Sequence, residues 1–288
     1  MTMLFGKAEI YTKDAKSLLT KASGFINAYD FTLNPYQGCQ YGCSYCYAAA
    51  FSPNQKLRKE WGNWVIIKQN AVELLKLELE KWHRKHPDHP PRIYMSSVTD
   101  PYQAIESKQK LTRQLLEVMA EFQPILVIQT RSPMIVRDID ILQKLQYLRI
   151  NISIPTGSES VRKDFEPKSP SVTSRLQALG KLQHSLSNAK YSVTITPLLP
   201  TLPEDKGAFL QKLAIAERIV IQPFHANQKK SLVASTREEA IALQSKYAWW
   251  YDNEAAQYEK FKQELFDLAN FSPNIDIREG KNGFGYDE

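Results

Sequence analysis

From about residue 60 to residue 225 the chain alternates two spacings of apolar residues. Short runs rich in Ile, Val, Leu or Tyr recur at Trp64–Lys68, Arg92–Val98, Ile125–Thr130, Leu148–Ile154, Tyr191–Pro197 and Ile219–Gln222. Their nearly continuous apolar character is what parallel strands buried on both faces require. A further strand is expected around Asp30–Leu33, leading into a cysteine loop. Between the runs lie helical spacings. Val72, Leu75, Leu79 and Trp82 follow a capping Asn70, and Leu111, Leu115, Val118 and Met119 form a second stripe. Ser169–Pro170 reads as an N-cap and first-turn proline ahead of Leu176, Leu179, Leu182 and Leu186.

Strand alternating with helix implies an α/β fold with a parallel sheet and right-handed crossovers. An open sheet and a closed or partial barrel both fit. Beyond residue 225 the character changes: Arg237 to Ala269 is charged and helical, with aromatics at Tyr247, Trp249, Trp250, Tyr251, Tyr258, Phe261 and Phe266. The expected organisation is a lead-in over 1–29, a main domain over 30–225, and a helical extension and tail over 226–288. With 43% hydrophobic residues in a chain of 288, a sizeable core is available.

The formal charge of +6 suits an anionic partner such as nucleic acid. The basic residues are scattered, though, and the densest groups (Lys56–Leu57–Arg58–Lys59, Lys81–Trp82–His83–Arg84–Lys85 and Lys229–Lys230) read equally as solvated faces. The first residues lack the basic flank, apolar run and cleavage site of a signal peptide. No stretch approaches the length of a bilayer span. The expectation is a cytoplasmic protein with no membrane partner.

Cysteine usage changes the picture most. There are three, all within eight positions, in Asn34-Pro-Tyr-Gln-Gly-Cys39-Gln-Tyr-Gly-Cys43-Ser-Tyr-Cys46-Tyr47. An odd, tight group argues against a disulfide framework and for metal or redox chemistry. Thiolates are soft ligands for zinc or iron–sulfur clusters. Gly38 and Gly42 let a short loop turn three sulfurs toward one point. Three thiolates on a four-iron cluster leave one iron for an external ligand. The alternative is a structural zinc completed by His83, His86, His89, His184 or His225, but no second cysteine knuckle exists to build it. His83, His86 and His89 sit in a proline- and lysine-rich stretch that reads as a hydrated loop.

Cys-x3-Cys-x-aromatic-Cys resembles the signature of the radical S-adenosylmethionine superfamily, with Tyr45 in the aromatic position. The flanking segments resemble the branch related to spore photoproduct lyase, in order: Asn34-Pro-Tyr-Gln-Gly-Cys39, Ser97-Val-Thr-Asp100-Pro-Tyr-Gln-Ala-Ile-Glu106, Gln129-Thr-Arg-Ser132, Asn151-Ile-Ser-Ile154, Glu166-Pro-Lys-Ser-Pro-Ser171 with Arg175-Leu176, and Pro197-Leu-Leu-Pro200. They cover about residues 28–225.

The resemblance implies a partial (β/α)6 TIM-like barrel with a C-terminal helical extension, the cluster loop lying at its C-terminal mouth. It implies a 4Fe-4S cluster on Cys39, Cys43 and Cys46, and S-adenosyl-L-methionine as cosubstrate. A one-electron reductant of flavodoxin or ferredoxin type would be its partner. The cosubstrate would be cleaved to methionine and a 5′-deoxyadenosyl radical that takes hydrogen from a substrate. By position, Tyr45 would lie beside the adenine, Ser97, Thr99 and Asp100 would meet the cosubstrate from the second strand, and Arg131 would meet its methionine end. Ser153 would lie near the ribose, and Arg175 is a second carboxylate candidate.

Each residue also has a structural reading. Ser97 and Ser153 would satisfy buried backbone, Asp100–Pro101 would be a turn, and Arg131 or Arg175 would pair with Asp138 or Glu166. The terminal Glu279-Gly-Lys-Asn-Gly-Phe284 resembles a tail seen in these relatives, expected either to fold over the mouth or to be frayed. Two departures bear on substrate. Spore photoproduct lyase uses an extra cysteine as hydrogen donor, and no fourth cysteine exists here. Thr201 stands where relatives often carry glycine. A nucleic-acid base, a peptide, protein or small metabolite, and a cluster-bearing sensor without turnover are therefore the three functional expectations.

Overall fold

The computed structural model describes residues 3–224, 238–271 and 275–286. The chain opens with β1 (Met3–Phe5), β2 (Ala8–Lys13), β3 (Leu19–Lys21), β4 (Phe31–Leu33), β5 (Tyr36–Gln37), α1 (Gln55–Lys59) and β6 (Trp64–Lys68). Strand and helix then alternate through α2 (Ala71–Lys85), β7 (Arg92–Met95), α3 (Glu106–Gln109), α4 (Leu111–Phe122), β8 (Ile125–Thr130), α5 (Ile139–Leu142) and β9 (Leu148–Ser153). They continue as α6 (Glu159–Phe165), α7 (Val172–Ser185), β10 (Lys190–Ile195), α8 (Pro203–Leu213) and β11 (Arg218–Ile221). The last elements are α9 (Glu238–Lys246), α10 (Ala248–Tyr251), α11 (Glu254–Phe271) and β12 (Asp276–Glu279).

The main sheet runs β12-β11-β10-β9-β8-β7-β4-β3, parallel throughout except for the β3–β4 pairing. Both ends carry edge strands, so the barrel is open, as the expected partial barrel requires. Six of the seven strands anticipated from the sequence run parallel here, and β12 joins them from the segment read as helical extension and tail. The run at Trp64–Lys68 does form a strand, but outside the barrel. It pairs with β2 and β5 in a separate four-stranded sheet.

The alternation of side chains along each strand separates two faces. Ile93, Met95, Leu126, Ile128, Ile150, Ile152, Val193 and Ile195 join the helices in the main core. The intervening residues are largely polar: Tyr94, Arg149, Asn151, Ser153, Ser192 and Thr194 are all buried. The barrel therefore has an apolar shell and a polar lumen.

Two helix starts differ from expectation. α7 is capped by Ser171, whose hydroxyl accepts from Ser174 N at 3.1 Å, two residues later than Ser169. Pro170 thus precedes the cap instead of opening the helix. Asn70 stands at the cap position of α2 without bonding it; its amide instead clasps Ala15, accepting from the N–H at 2.8 Å and donating to the carbonyl at 3.0 Å. The tail also departs from its expected place. Tyr29 donates to the Phe284 carbonyl, Arg218 Nη1 donates to Gly285 O at 2.9 Å, and Lys190 Nζ lies 4.9 Å from the Tyr286 ring. Lys190 and Arg218 begin their strands, so the tail reaches the end of the barrel opposite the mouth. His225, Lys229, Lys230 and Arg237 lie outside the described residues.

Candidate active site at the barrel mouth

The cysteine loop is the connection between β4 and β6, and its first residues are already ordered as β5. Two glycines let it fold so tightly. Gly38 has φ +83°, and a Cβ there would stand 2.6 Å from the Trp64 ring. Gly42 has φ +60° and packs against Gly62, where an added Cβ would meet Gly42 Cα at 2.7 Å. Two backbones approach here closer than any side chain permits.

The loop that follows β7 belts the cysteine loop from the other side. Asn34 Oδ1 accepts from Ser97 N and Val98 N, both at 3.0 Å. Thr99 Oγ1 donates to Gly38 O at 2.6 Å, and Gln103 Oε1 accepts from Gln40 N at 2.8 Å. Gln40 returns the bond by accepting from Ile105 N at 2.7 Å. Ser97 Oγ lies 2.8 Å from Thr32 Oγ1, and Tyr47 donates to the Ser97 carbonyl. Asp100 accepts from Tyr102 N at 2.9 Å, Thr130 Oγ1 at 2.7 Å and Arg131 N at 2.9 Å. It is thus a turn former, and one that also ties the turn to the end of β8.

Cys39 and Cys43 are buried and Cys46 is partly exposed. Burial raises the Cys39 thiol to about 12, and the Asp100 and Cys46 charges add to that. Cys43 is also pushed up by burial, with Arg131 opposing and Cys46 and Cys39 reinforcing the rise. Among the described residues, no three His, Cys, Asp or Glu side chains are gathered around a single-ion site. Three thiols carried by one loop are a soft donor set of the kind that iron–sulfur clusters and zinc both take.

Behind Cys43 lies a buried ionic array. Arg131 Nη1 donates to Cys43 Sγ and to Tyr45 Oη, both at 3.0 Å, and pairs with Glu166. Tyr45 also donates to Glu166. Arg175 pairs with the other carboxylate oxygen, which accepts from Ser169 Oγ at 3.1 Å as well. Desolvation would raise Glu166, but Arg131 and Arg175 outweigh it and hold the carboxyl at about 2. Burial likewise works against the Arg131 charge, and Cys43 and Glu166 overcome it.

Arg131 keeps 18% of its side chain exposed, whereas Arg175 keeps none. Arg175 Nη1 donates to Ser153 O at 2.9 Å, and Nε donates to Pro170 O at 3.0 Å. It braces Glu166 from beneath, so the ion-pair reading of both arginines is realised with Glu166. Asp138 pairs elsewhere, with Arg113 and Arg137. Tyr45 is buried, its ring edge-on to Phe224 at 6.4 Å. Ser153 is buried at the end of β9.

Sequence reasoning treated Glu166 only as a possible pairing partner and passed over Asn34, Gln40 and Gln103. Each lies inside a quoted segment, which was the available signal. It also missed the roof of the mouth, where Phe224 meets Tyr251 at 5.7 Å. Burial raises Glu254, on the same side, to about 7.

Parallel strands that end in a three-cysteine loop at an open barrel mouth define a class, and residues 33–213 match the family model of the Radical SAM superfamily. The chain belongs to that superfamily. It is 36% identical over 173 residues to an uncharacterized protein of Methanocaldococcus jannaschii, covering 60% of this chain and 61% of that one. An uncharacterized protein of Mycobacterium tuberculosis is 24% identical over 216 residues, 71% of this chain and 59% of its own. The chain thus spans about three fifths of these curated relatives.

Among solved structures, spore photoproduct lyase complexed with dinucleoside spore photoproduct superposes with a TM-score of 0.62 at 14% identity. That match covers 93% of this chain and 81% of the lyase. SuiB of Streptococcus suis bound to S-adenosylmethionine gives a TM-score of 0.55 at 10% identity, covering 86% and 49%. At such identities the likeness is one of fold. Among the described residues no helix is long and apolar enough to cross a membrane.

Proposed function

We propose that this protein is a radical S-adenosylmethionine enzyme that abstracts hydrogen from a nucleic-acid base. Cys39, Cys43 and Cys46 would hold a 4Fe-4S cluster. The observation that carries the reading is the loop itself: three cysteines on one glycine-turned loop at a barrel mouth, with Arg131 donating to Cys43. When bound and reduced, the cluster would supply the electron that cleaves S-adenosylmethionine to methionine and the 5′-deoxyadenosyl radical.

The chain's own residues would bind and orient. Arg131, with part of its side chain still exposed, would meet the cosubstrate carboxylate while its Nη1 stays on Cys43 and Glu166. Tyr45 would offer its ring beside the adenine, with its hydroxyl fixed on Glu166. Ser97, Thr99 and Asp100 would hold the near wall, and Ser153, with Arg175 beneath its carbonyl, would hold the far one. Phe224, Tyr251 and Tyr247 would keep water from the radical.

The nucleic-acid substrate is supported by the ordered branch motifs and the +6 charge. Lacking a fourth cysteine, the chain would return hydrogen to product by another route than the lyase. The test is anaerobic reconstitution with iron and sulfide, followed by dithionite and S-adenosylmethionine. Formation of 5′-deoxyadenosine is expected, with both cluster and product lost in Cys43→Ala. A full cluster without 5′-deoxyadenosine would leave the sensor reading standing instead.

A further inference from the structure

The Glu166 carboxylate is fixed at both of its oxygens. Oε2 pairs with Arg175 and accepts from Ser169 Oγ at 3.1 Å. Arg175 is itself immobile, because Nη1 donates to Ser153 O at 2.9 Å, Nε donates to Pro170 O at 3.0 Å, and none of its side chain is exposed. Oε1 is thereby left to Arg131 and Tyr45. The cysteine loop is tied to the same segment through its backbone. Ser44 N donates to Phe165 O at 2.9 Å, which joins the residue after Cys43 to the residue before Glu166. Main chain and side chains together therefore set the separation of the Cys43 sulfur from the carboxylate.

Arg131 bridges that separation. Its Nη1 donates to Cys43 Sγ and to Tyr45 Oη, both at 3.0 Å, and pairs with Glu166. Tyr45 closes the ring by donating to Glu166. Swinging the guanidinium off the sulfur would break its bonds to both. Glu166 also takes up part of a charge that would otherwise act on the sulfur in full.

The chemical consequence follows from what a thiolate-held cluster responds to. An N–H donor on a ligand sulfur and a positive charge nearby both favour the reduced, more negative cluster, and a nearby carboxylate opposes them. In a buried site these effects are weakly screened. We propose that Glu166 is a positioning residue which, acting through Arg131, sets the reduction potential of a cluster held by Cys39, Cys43 and Cys46. It keeps Nη1 on the Cys43 sulfur and offsets part of the guanidinium charge there. The proposal rests on the cluster reading given above and deepens it.

The test is a redox titration of the reconstituted full chain, followed by the electron paramagnetic resonance signal of the reduced cluster, with iron counted in each variant. Glu166→Gln keeps an acceptor for Arg131 and Tyr45 but removes the charge, and its midpoint should move to a less negative potential than wild type. Arg131→Met removes the donor and its charge, and its midpoint should move the other way. Ser169→Ala loosens the array without changing its charge and should stay at the wild-type value. Midpoints in the first two variants that match wild type, or move in the same direction, overturn the proposal. So does a Ser169→Ala shift as large as that of Glu166→Gln, because packing would then account for both. Should Glu166→Gln fail to fold, Arg131→Met still decides, since an unmoved or less negative midpoint in it overturns the proposal. If wild type takes up no 4Fe-4S cluster, the cluster reading itself falls and the proposal falls with it.

Discussion

Arg131 and Glu166 form an ion pair directly behind a cysteine of the loop, and the same Nη1 that reaches Glu166 donates to Cys43 Sγ at 3.0 Å. One nitrogen therefore couples the carboxylate to the Cys43 sulfur. A second arginine, Arg175, holds the far oxygen of the same carboxylate. The mouth is braced by a network of two guanidiniums on one carboxylate, whose members come from the end of β8, the cysteine loop, the α6–α7 connection and the first turn of α7.

The network should be costly to break. Glu166→Ala leaves two arginines facing a dry cavity, and losing one partner of a buried pair costs about 3–5 kcal/mol. Thermal unfolding of the variant should show a lower midpoint. Tyr45→Phe removes the hydroxyl that donates to Glu166 and accepts from Arg131, and should cost about 1.5–3 kcal/mol. A Glu166→Ala protein as stable as wild type would mean that the pair contributes nothing net.

Acid should act through the same group. Glu166 is held at about 2 against an ordinary 4.5, so its charged form favours the folded state. That stabilisation is complete above about pH 4.5 and is lost as pH falls toward 2. Chemical denaturation of wild type and Glu166→Gln at a series of pH values should show a smaller acid-side loss in the variant.

Glu254 should act in the opposite sense. Burial lifts it to about 7, so the unfolded chain releases its proton more readily. Its contribution is intact below about pH 4.5 and is lost as pH rises through 7. Glu254→Gln should therefore be more stable than wild type at pH 8 and gain little at pH 5, as measured by the same titrations.

Close backbone packing predicts a loop defect distinct from ligand loss. Gly38→Ala would push a methyl into the Trp64 ring and strain a left-handed residue, at a cost of about 1–3 kcal/mol. All three thiols remain, yet iron bound after reconstitution should fall. Full iron content in this variant would show that the loop tolerates displacement.

Truncation after Gly283 tests the lumen. It removes the Tyr29–Phe284 and Arg218–Gly285 bonds and uncovers Tyr94 and Val127. Hydrogen exchange should rise at the strand starts while the cysteine loop stays protected.

Three kinds of feature were legible in the chain. The cysteine loop could be read because its three thiols lie within eight residues, and a group this compact is a property of local spacing. The parallel strands could be read because burial on both faces demands apolar runs. Tyr45, Asp100 and Arg131 were legible as neighbours of the mouth because motifs at strand ends necessarily gather there.

Tertiary structure decided the rest. Nothing local tells Trp64–Lys68 from a barrel strand, since pairing with β2 or with β7 satisfies the same apolar run. β12 was hidden for a related reason: its residues are only half buried, and pairing alone makes them a strand. The convergence of Arg131, Arg175 and Tyr45 on Glu166 joins residues as much as 121 apart. Charges buried together stabilise one another only at contact distance, and only the folded chain sets that distance.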